Sequence, residues 1–573
     1  MPLEESGTPG TPSDPASNRL TNEKLPISKL PAELLLMIFF DIIMSWDPPF
    51  LGEAFAPGTV INGIIATRFT PAIHLSHVCH RWRTLVLGSR SLWDQLKFRD
   101  DAPPDLVKTI WANCGKQPTV AQLEIVEQDP ELSAEDISIF QELISSANRL
   151  RYVQILCSSA RTISTLFESS QGVAAPWLDT LFVSTTPSSS HTLDQGEILP
   201  TMIYSGGTPE LSVICLRNYS LSPDAPILRS PKLARLILAS KVPQSSMEVR
   251  KFCSNFAFTP LLDTLILANP LYHGTDAAPL ASPVYLPRLA WLQVRGTYKG
   301  LSTLFQNLRI PACPTLLIGS VLFEGEPTSS LDAFLSIIAA SLIQPTPDTL
   351  WRPEQLRIEL AVIQGAGNGI AFAIWSRKEE RNVRMWPKSS QRSPLQDAVP
   401  WVEIQVLQSE RILDLGREFL EHQGLFCWDN LRAVEVSGWL PSETWGMLSR
   451  LPLLTDVAVC WTYAIPFLAY LCNRQEVGVS AFEGDETTAT WTVEPFPVLE
   501  SVTIDFAKNE GHVGDAGTPR DCLEIVMQVL KYRQLAMGKE LKKLRLLAEW
   551  ADLGYEMKAR LLETRIASSI VYE

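Results

Sequence analysis

Three groups of residues in this chain have the types and spacing for chemistry, and each lacks a part that the chemistry needs. His74, His77 and His80 recur at every third position with Cys79 among them, so two imidazoles could share a helix face and hold a zinc ion. On a helix read through residues 72 to 86, however, Cys79 falls on the opposite, apolar side, and no second His/Cys cluster completes a tetrahedral set. Solvated histidines are the expectation. Gly365-Ala366-Gly367-Asn368-Gly369 follows a strand-like run, as a phosphate-cradling turn would. The sixth position is Ile370 where a dinucleotide fingerprint requires glycine, and residues 371 to 375 continue as an apolar strand, so a turn joining two strands is expected. Carboxylates are plentiful, yet no G-x-S-x-G, H-E-x-x-H or P-loop places them beside a nucleophile, a metal or a phosphate. No catalytic, cofactor or metal site is expected.

Composition narrows the classes further. The formal net charge of −14 offers no basic field to a phosphate backbone, which argues against nucleic acid as a partner. Ten cysteines are scattered without a C-x-x-C pair, so neither a disulfide framework nor a zinc site is indicated, and Cys79, Cys215 and Cys460 read as reduced, structural thiols. Glu4 and Glu5 stand where a signal peptide would carry positive charge, and the longest apolar run, residues 34 to 44, is far short of the roughly 20 residues a membrane span requires. A soluble protein of the cytoplasm or nucleus, without a membrane partner, is expected.

The elements that carry the remaining signal begin at Leu30-Pro31-Ala32-Glu33. Pro31 suits a first helical position, where its missing N–H costs nothing, and Glu33 places negative charge in the positive first turn. From residue 34 to 44 the only polar side chain is Asp41, so this helix is apolar on nearly every side and must be buried on more than one face. The helix over residues 72 to 86 gathers Leu75, Val78, Cys79, Trp82, Leu85 and Val86 on one side. A body of two or three short helices is too small to shield that much apolar surface by itself. A partner protein is the expected cover.

Leu30-Pro31-x-Glu33 with Ile38-Phe39, then Val78-Cys79-x-x-Trp82, then Leu92-Trp93, resembles the F-box motif over residues 25 to 98. It is most similar to fungal F-box proteins, in which the box leads through a short helix and a Gly-x-x-Pro into a strand; Trp111, Gly115, Pro118 and Leu123 stand here in that order. Residues 46 to 70, rich in proline, form a longer insertion than the box needs and read as a loop, and residues 1 to 24 read as a disordered tail. The resemblance implies the substrate-recognition subunit of an SCF-type ubiquitin ligase, a non-catalytic receptor that binds the Skp adaptor and, through it, a cullin. Leu30, Pro31, Leu34, Ile38, Val78, Cys79 and Trp82 would then form the adaptor surface, with Trp93 closing it.

Beyond residue 98 the chain repeats a rhythm: an apolar residue followed by others three and five positions later. Leu178/Leu181/Val183, Leu233/Leu236/Leu238, Leu262/Leu265/Leu267, Leu454/Val457/Val459 and Leu499/Val502/Ile504 are instances; Val120/Leu123/Ile125 and Trp401/Ile404/Val406 also fit, and Leu356/Ile358/Leu360, spaced two and two, is a fair unit. The last two positions of each triplet lie two apart, so in a strand they share one face. Prolines such as Pro176, Pro231, Pro260 and Pro497 stand two residues ahead, which suits the approach to a strand. Segments such as 162 to 168 and 521 to 533 are helical enough to cover the back.

This rhythm predicts an α/β chain: a small all-α box, then an irregular leucine-rich-repeat horseshoe with a parallel sheet over residues 99 to 573, holding a protein target of unidentified kind. The asparagine that usually follows the triplet is absent, and unit spacing drifts from about 22 to more than about 40 residues against the usual 20 to 29. A compact α/β domain whose buried strands share apolar runs is the alternative. Residues 296 to 402 fit worst, and their charged stretch from 376 to 396 reads as a solvated loop or a target-contacting insertion. The alternative function is a repeat scaffold for protein interaction outside ubiquitination.

Overall fold

The computed structural model describes residues 25–45, 71–93 and, onward to 572, the helices, strands and turns named below; its larger undescribed stretches are 1–24, 46–70, 186–198, 376–401, 472–495, 506–518 and 548–562. The anticipated tail, the box insertion and the charged stretch at 376 to 396 therefore lie outside the described residues. The chain is mixed α/β and falls into two compact units, residues 1–190 with 202–211, and residues 191–201 with 212–573.

The first unit opens with three helices, α1 (Ala32–Ser45), α2 (Pro71–Ser76) and α3 (His80–Gly88). Four parallel strands follow: β1 (Gln95–Arg99), β2 (Thr119–Ile125), β3 (Leu150–Cys157) and β4 (Thr180–Thr185). Helices Pro104–Asn113, Ala134–Ser145 and Ala160–Glu168 connect them. Between β3 and β4, Val153 pairs with Leu181 and Ile155 with Val183, all four buried. Residues 202 to 207 lie against residues 170 to 175: Tyr204 N–H donates to Ser170 O at 3.1 Å and Gly206 N–H to Val173 O at 3.1 Å. A Cβ on Gly206 would stand 2.5 Å from the Ala174 nitrogen, so only glycine permits that approach.

The second unit holds β5 (Val213–Arg217), β6 (Arg235–Ala239), β7 (Thr264–Leu271), the short β8 (Val284–Tyr285), β9 (Trp291–Thr297), β10 (Leu308–Arg309) and β11 (Thr315–Leu322). After them come β12 (Gln355–Ile363), β13 (Gly367–Trp375), β14 (Val402–Leu407), β15 (Ala433–Ser437), β16 (Asp456–Cys460), β17 (Ser501–Asp505), β18 (Lys543–Leu547) and β19 (Ile570–Tyr572). Leaving aside the β8–β10 pair, neighbours run β5, β6, β7, β9, β11, β14, β13, β12, β15 through β19, and every pairing is parallel except those of β13. Two apolar rows cross all of these strands in register. One passes Ile214, Leu236, Leu265, Leu292, Leu316, Val402, Ile374, Leu356, Val434, Val457, Val502, Leu544 and Ile570, and the other lies two residues further along each parallel strand. The antiparallel β13 keeps both rows because side-chain alternation has a period of two whichever way the strand runs.

The strand approaches repeat one device. The N–H of Leu178, Leu211, Leu233, Leu262, Leu289, Leu454 and Leu499 donates to the carbonyl three residues before it, at 3.1 to 3.4 Å. In each of these turns proline occupies the second position, where its fixed φ is already that of the turn. One carbonyl per unit then accepts two N–H groups from the next: Ser212 O from Ala234 and Arg235, Ala234 O from Asp263 and Thr264, Glu500 O from Lys542 and Lys543. Each lead leucine is buried, and the connecting helices bury their apolar faces too, packing on one another through Phe305–Phe334 at 6.0 Å and Trp445–Phe467 at 4.9 Å.

Several expectations shift by small steps. In β2, β12 and β14 the residues that align with the rows lie two positions before those the rhythm marks: Leu356 and Ile358 face Val434 and Val436, and Leu360 stands beyond. A slip of two keeps every side chain on its face, so sequence periodicity does not register it. β11, with Leu316 and Ile318, and β19 are strands that the rhythm missed. Gly367 and Gly369 open β13, which folds back antiparallel on β12, so the glycine-rich stretch connects two strands.

Candidate functional site

The helices at the start of the first unit carry a group of exposed apolar side chains. Helix α1 begins at Ala32, one residue later than the placement of Pro31 implied; the Pro31 carbonyl accepts the Leu35 N–H at 3.1 Å, and Glu33 lies in the first turn. Among the described side chains of α1, a narrow seam, Leu35 and Phe39, is fully buried. Phe39 meets the ring of Trp82 on α3 with centroids 4.6 Å apart, and Ala72, Leu75, Val86 and Leu92 complete the small core. On the other side, Leu34 is 45% exposed, Met37 63% and Ile38 38%, at spacings of three and four residues that place them on one face. Among its described residues this chain buries one seam of α1 only, so the expected burial on more than one face requires a cover from outside the chain.

The single helix expected over residues 72 to 86 is two helices. Cys79 is extended, with φ −158° and ψ 170°, and its Sγ accepts the Trp82 N–H at 3.5 Å, so it caps α3 instead of lying within a helix. Val78, in the turn before it, is 57% exposed. Arg83 Nε spans the break to the Ser76 carbonyl at 3.1 Å. The guanidinium of Arg81 donates to two carbonyls of the segment leading into α1, Ser28 O and, at 2.6 Å, Leu30 O. No motif reading singled out Arg81, yet it ties the Leu30-Pro31 approach to α3.

Of the expected adaptor residues, Pro31, Leu34, Ile38 and Val78 are exposed, while Leu30, Cys79 and Trp82 are half-buried. Trp93 is placed differently. It is 3% exposed and its Nε1 donates to the Val86 carbonyl at 2.8 Å, so it belongs to the core of the helical unit and does not close an outer surface.

His74, His77 and His80 are exposed and divided between α2, the turn and α3; among the described residues no three His, Cys, Asp or Glu side chains cluster as metal ligands. Cys79, Cys157, Cys215 and Cys253 are free thiols. Burial pushes the Cys215 thiol up to about 11, partly offset by the Arg217 guanidinium, and pushes Cys253 up to about 12, so both stay protonated near neutrality. Trp445 is fully buried against Phe467 and Phe496, Trp291 is half-buried, and Trp439 and Trp461 lie outside the described residues. Trp177 is exposed on the turn before β4. No described helix is long and apolar enough to cross a membrane. Comparison of the chain with protein-family models and with curated proteins gives no match.

Proposed function

We propose that this chain is the substrate-recognition subunit of an SCF-type ubiquitin ligase. The helical unit around α1 to α3 acts as an F-box that binds the Skp adaptor and through it a cullin, and the strand-and-helix repeats act as a leucine-rich-repeat-like surface that binds a protein target. The observation that carries this reading is the apolar face of α1, where Leu34, Met37 and Ile38 stand exposed beside a seam that this chain does bury. An apolar face of this kind marks a protein-docking surface when its residues cluster on one element. The adaptor's contribution is proximity: a target held by the repeats is brought to a conjugating enzyme at high effective concentration, with no chemistry required of this chain.

The test is co-purification of the full chain with a co-expressed Skp adaptor. Wild type captures the adaptor, and Leu34→Asp with Ile38→Asp abolishes capture without unfolding the chain, because both side chains already face water. Absence of capture by wild type, or undiminished capture by the double variant, overturns the assignment.

A further inference from the structure

The residues just ahead of four neighbouring strands in the second unit form a ridge. The segments that lead into β6, β7, β9 and β11 lie side by side, joined by bonds from Asp263 N–H to Ala234 O, Ala290 N–H to Asp263 O and Thr315 N–H to Ala290 O, each at 2.8 Å. Each segment places one residue two positions ahead of a proline: Arg229 before Pro231, Phe258 before Pro260, Tyr285 before Pro287 and Arg309 before Pro311. The residue between is buried in every case, as Ser230, Thr259, Leu286 and Ile310, which fixes the ridge to the core. Neighbours along it meet: the Arg229 guanidinium lies over the Phe258 ring at 5.6 Å, the turn Phe256–Phe258 packs on β8, and Tyr285 of β8 pairs with Arg309 of β10. The order is cation, ring, ring, cation. Phe258 is 54% exposed and Tyr285 62%, and Pro260 and Pro287 beside them are exposed too, so the middle of the ridge is an open apolar patch.

The cations at its ends are held in place and lack anions. Arg229 Nε donates to Asn255 Oδ1 at 2.9 Å, and Asn255, 1% exposed, is itself fixed by donating Nδ2 to Pro223 O at 2.5 Å and Lys251 O at 3.3 Å. A buried amide that orients a surface arginine leaves the terminal N–H groups of the guanidinium set for a carboxylate. Arg309 spends an N–H on its neighbour, the Leu308 carbonyl, and Arg288 stands exposed on the same turn as Pro287. Among the described residues no carboxylate pairs with Arg229, Arg288 or Arg309: Asp224 lies 4.0 Å from Lys251, and Asp263 accepts from the Thr264 hydroxyl at 2.7 Å. Lys232 has a partner of its own and adds nothing to the argument. Residues 212 to 310 carry eleven Lys and Arg against four Asp and Glu, whereas the whole chain carries 49 against 63. The ridge is thus the cationic part of an acidic chain. Two separated cations with apolar rings between them complement a segment that is acidic at two points and apolar between, and they match a continuous phosphate backbone poorly.

We infer that this ridge docks an extended acidic segment of a target protein, with one carboxylate at Arg229, an aliphatic side chain over Phe258 and Tyr285, and a second carboxylate at Arg309 and Arg288. That the occupant is a ligase target rests on the ligase reading above; the ridge itself rests on exposure, charge and the hold of Asn255 on Arg229. Arg229 and Arg309 lie three strand steps apart, which at about 4.8 Å per step is about 14 Å. An extended chain covers that span in about four residues at roughly 3.4 Å each, and residues two apart face the same side. The pattern that fits is therefore acid, any residue, aliphatic, any residue, acid.

The test uses two fluorescein-labelled peptides, one with the core Glu-Ser-Leu-Ser-Glu and the other with Lys-Ser-Leu-Ser-Lys, flanked by glycine and serine. Each is titrated against the full chain and followed by fluorescence anisotropy. The acidic peptide binds wild type, weakens as salt is raised, and loses at least about tenfold in affinity to Arg229→Glu with Arg288→Glu, both exposed positions. Tyr285→Ser keeps every charge and loses at least about threefold, which guards against a purely electrostatic effect and against misfolding of the double variant. Arg295→Glu, an exposed reversal further along β9, leaves the affinity within about twofold. Equal binding of the lysine peptide, no binding to wild type, an affinity that the ridge substitutions leave unchanged, an Arg295→Glu loss as large as theirs, or displacement of the peptide by an equal concentration of oligothymidylate overturns the ridge. Adaptor capture is measured on the same samples: its failure with peptide binding intact overturns the ligase reading alone, and failure of peptide binding with capture intact overturns the ridge alone.

Discussion

Met37 and Phe39 are two residues apart on one helix, and the structure assigns them opposite work. Phe39 is fully buried against Trp82, whereas Met37 is 63% exposed. Replacing Phe39 by Ala removes a buried aromatic ring and leaves a cavity, which costs about 3 to 5 kcal/mol. The Phe39–Trp82 ring contact, worth about 0.5 to 1.5 kcal/mol beyond area, lies within that figure. A loss of this size is comparable with a substantial part of the roughly 5 to 15 kcal/mol that holds a whole domain, so a body of three short helices opens locally while the sheets persist. Met37→Ala removes atoms that already face water and changes stability by no more than about 0.5 kcal/mol. Hydrogen exchange read by mass spectrometry distinguishes the two: Phe39→Ala collapses protection in peptides covering 32–45 and 80–88 and spares those covering β15 to β18. Met37→Ala leaves all of them protected and weakens adaptor capture. Unchanged protection of 80–88 in Phe39→Ala, or equal loss of protection in both variants, would refute this division of α1 into a core seam and a docking face.

Other substitutions and conditions have equally definite outcomes. Arg81→Met removes charge-assisted bonds to the Ser28 and Leu30 carbonyls, each worth about 1.5 to 3 kcal/mol before solvent screening, so adaptor affinity falls although Arg81 itself need not touch the adaptor; calorimetric titration with purified adaptor checks this, and wild-type affinity in Arg81→Met contradicts it. Gly206→Ala forces a Cβ against the Ala174 backbone and destabilises the first unit by about 1 to 3 kcal/mol, seen as a lowered midpoint in urea. The raised thiols of Cys215 and Cys253 hold protons that the unfolded chain loses near pH 9. Their contribution is therefore complete below that pH and is lost as pH rises toward about 11 and about 12; urea midpoints measured from pH 8 to 11 fall in wild type, and less in Cys215→Ala with Cys253→Ala. At pH 8 both thiols resist alkylation by iodoacetamide in the folded chain, and rapid labelling would show that they are not sealed.

Sequence alone determined whatever depends on one residue or on a period of two. The lead leucines, the prolines two positions ahead and the apolar pairs behind them mark strands whose inner faces are buried, because alternation along a strand is a local property and a proline's φ is set by its own ring. The parallel pairing of most strands follows from the helical stretches between them. Tertiary structure decided the rest. A shift of two residues leaves the pattern unchanged, so only pairing between strands distinguished Leu356 and Ile358 from Ile358 and Leu360, and only pairing revealed that β13 runs backward between β12 and β14. The apolar excess of residues 34 to 44 was legible from composition, but which side was sealed was not: helical spacing defines faces without saying which one meets Trp82. Cys79 and Trp93 fit an outward-facing motif by type. Their placement was decided by hydrogen bonds that no spacing rule contains, a thiol capping α3 and an indole N–H satisfied inside the core by the Val86 carbonyl.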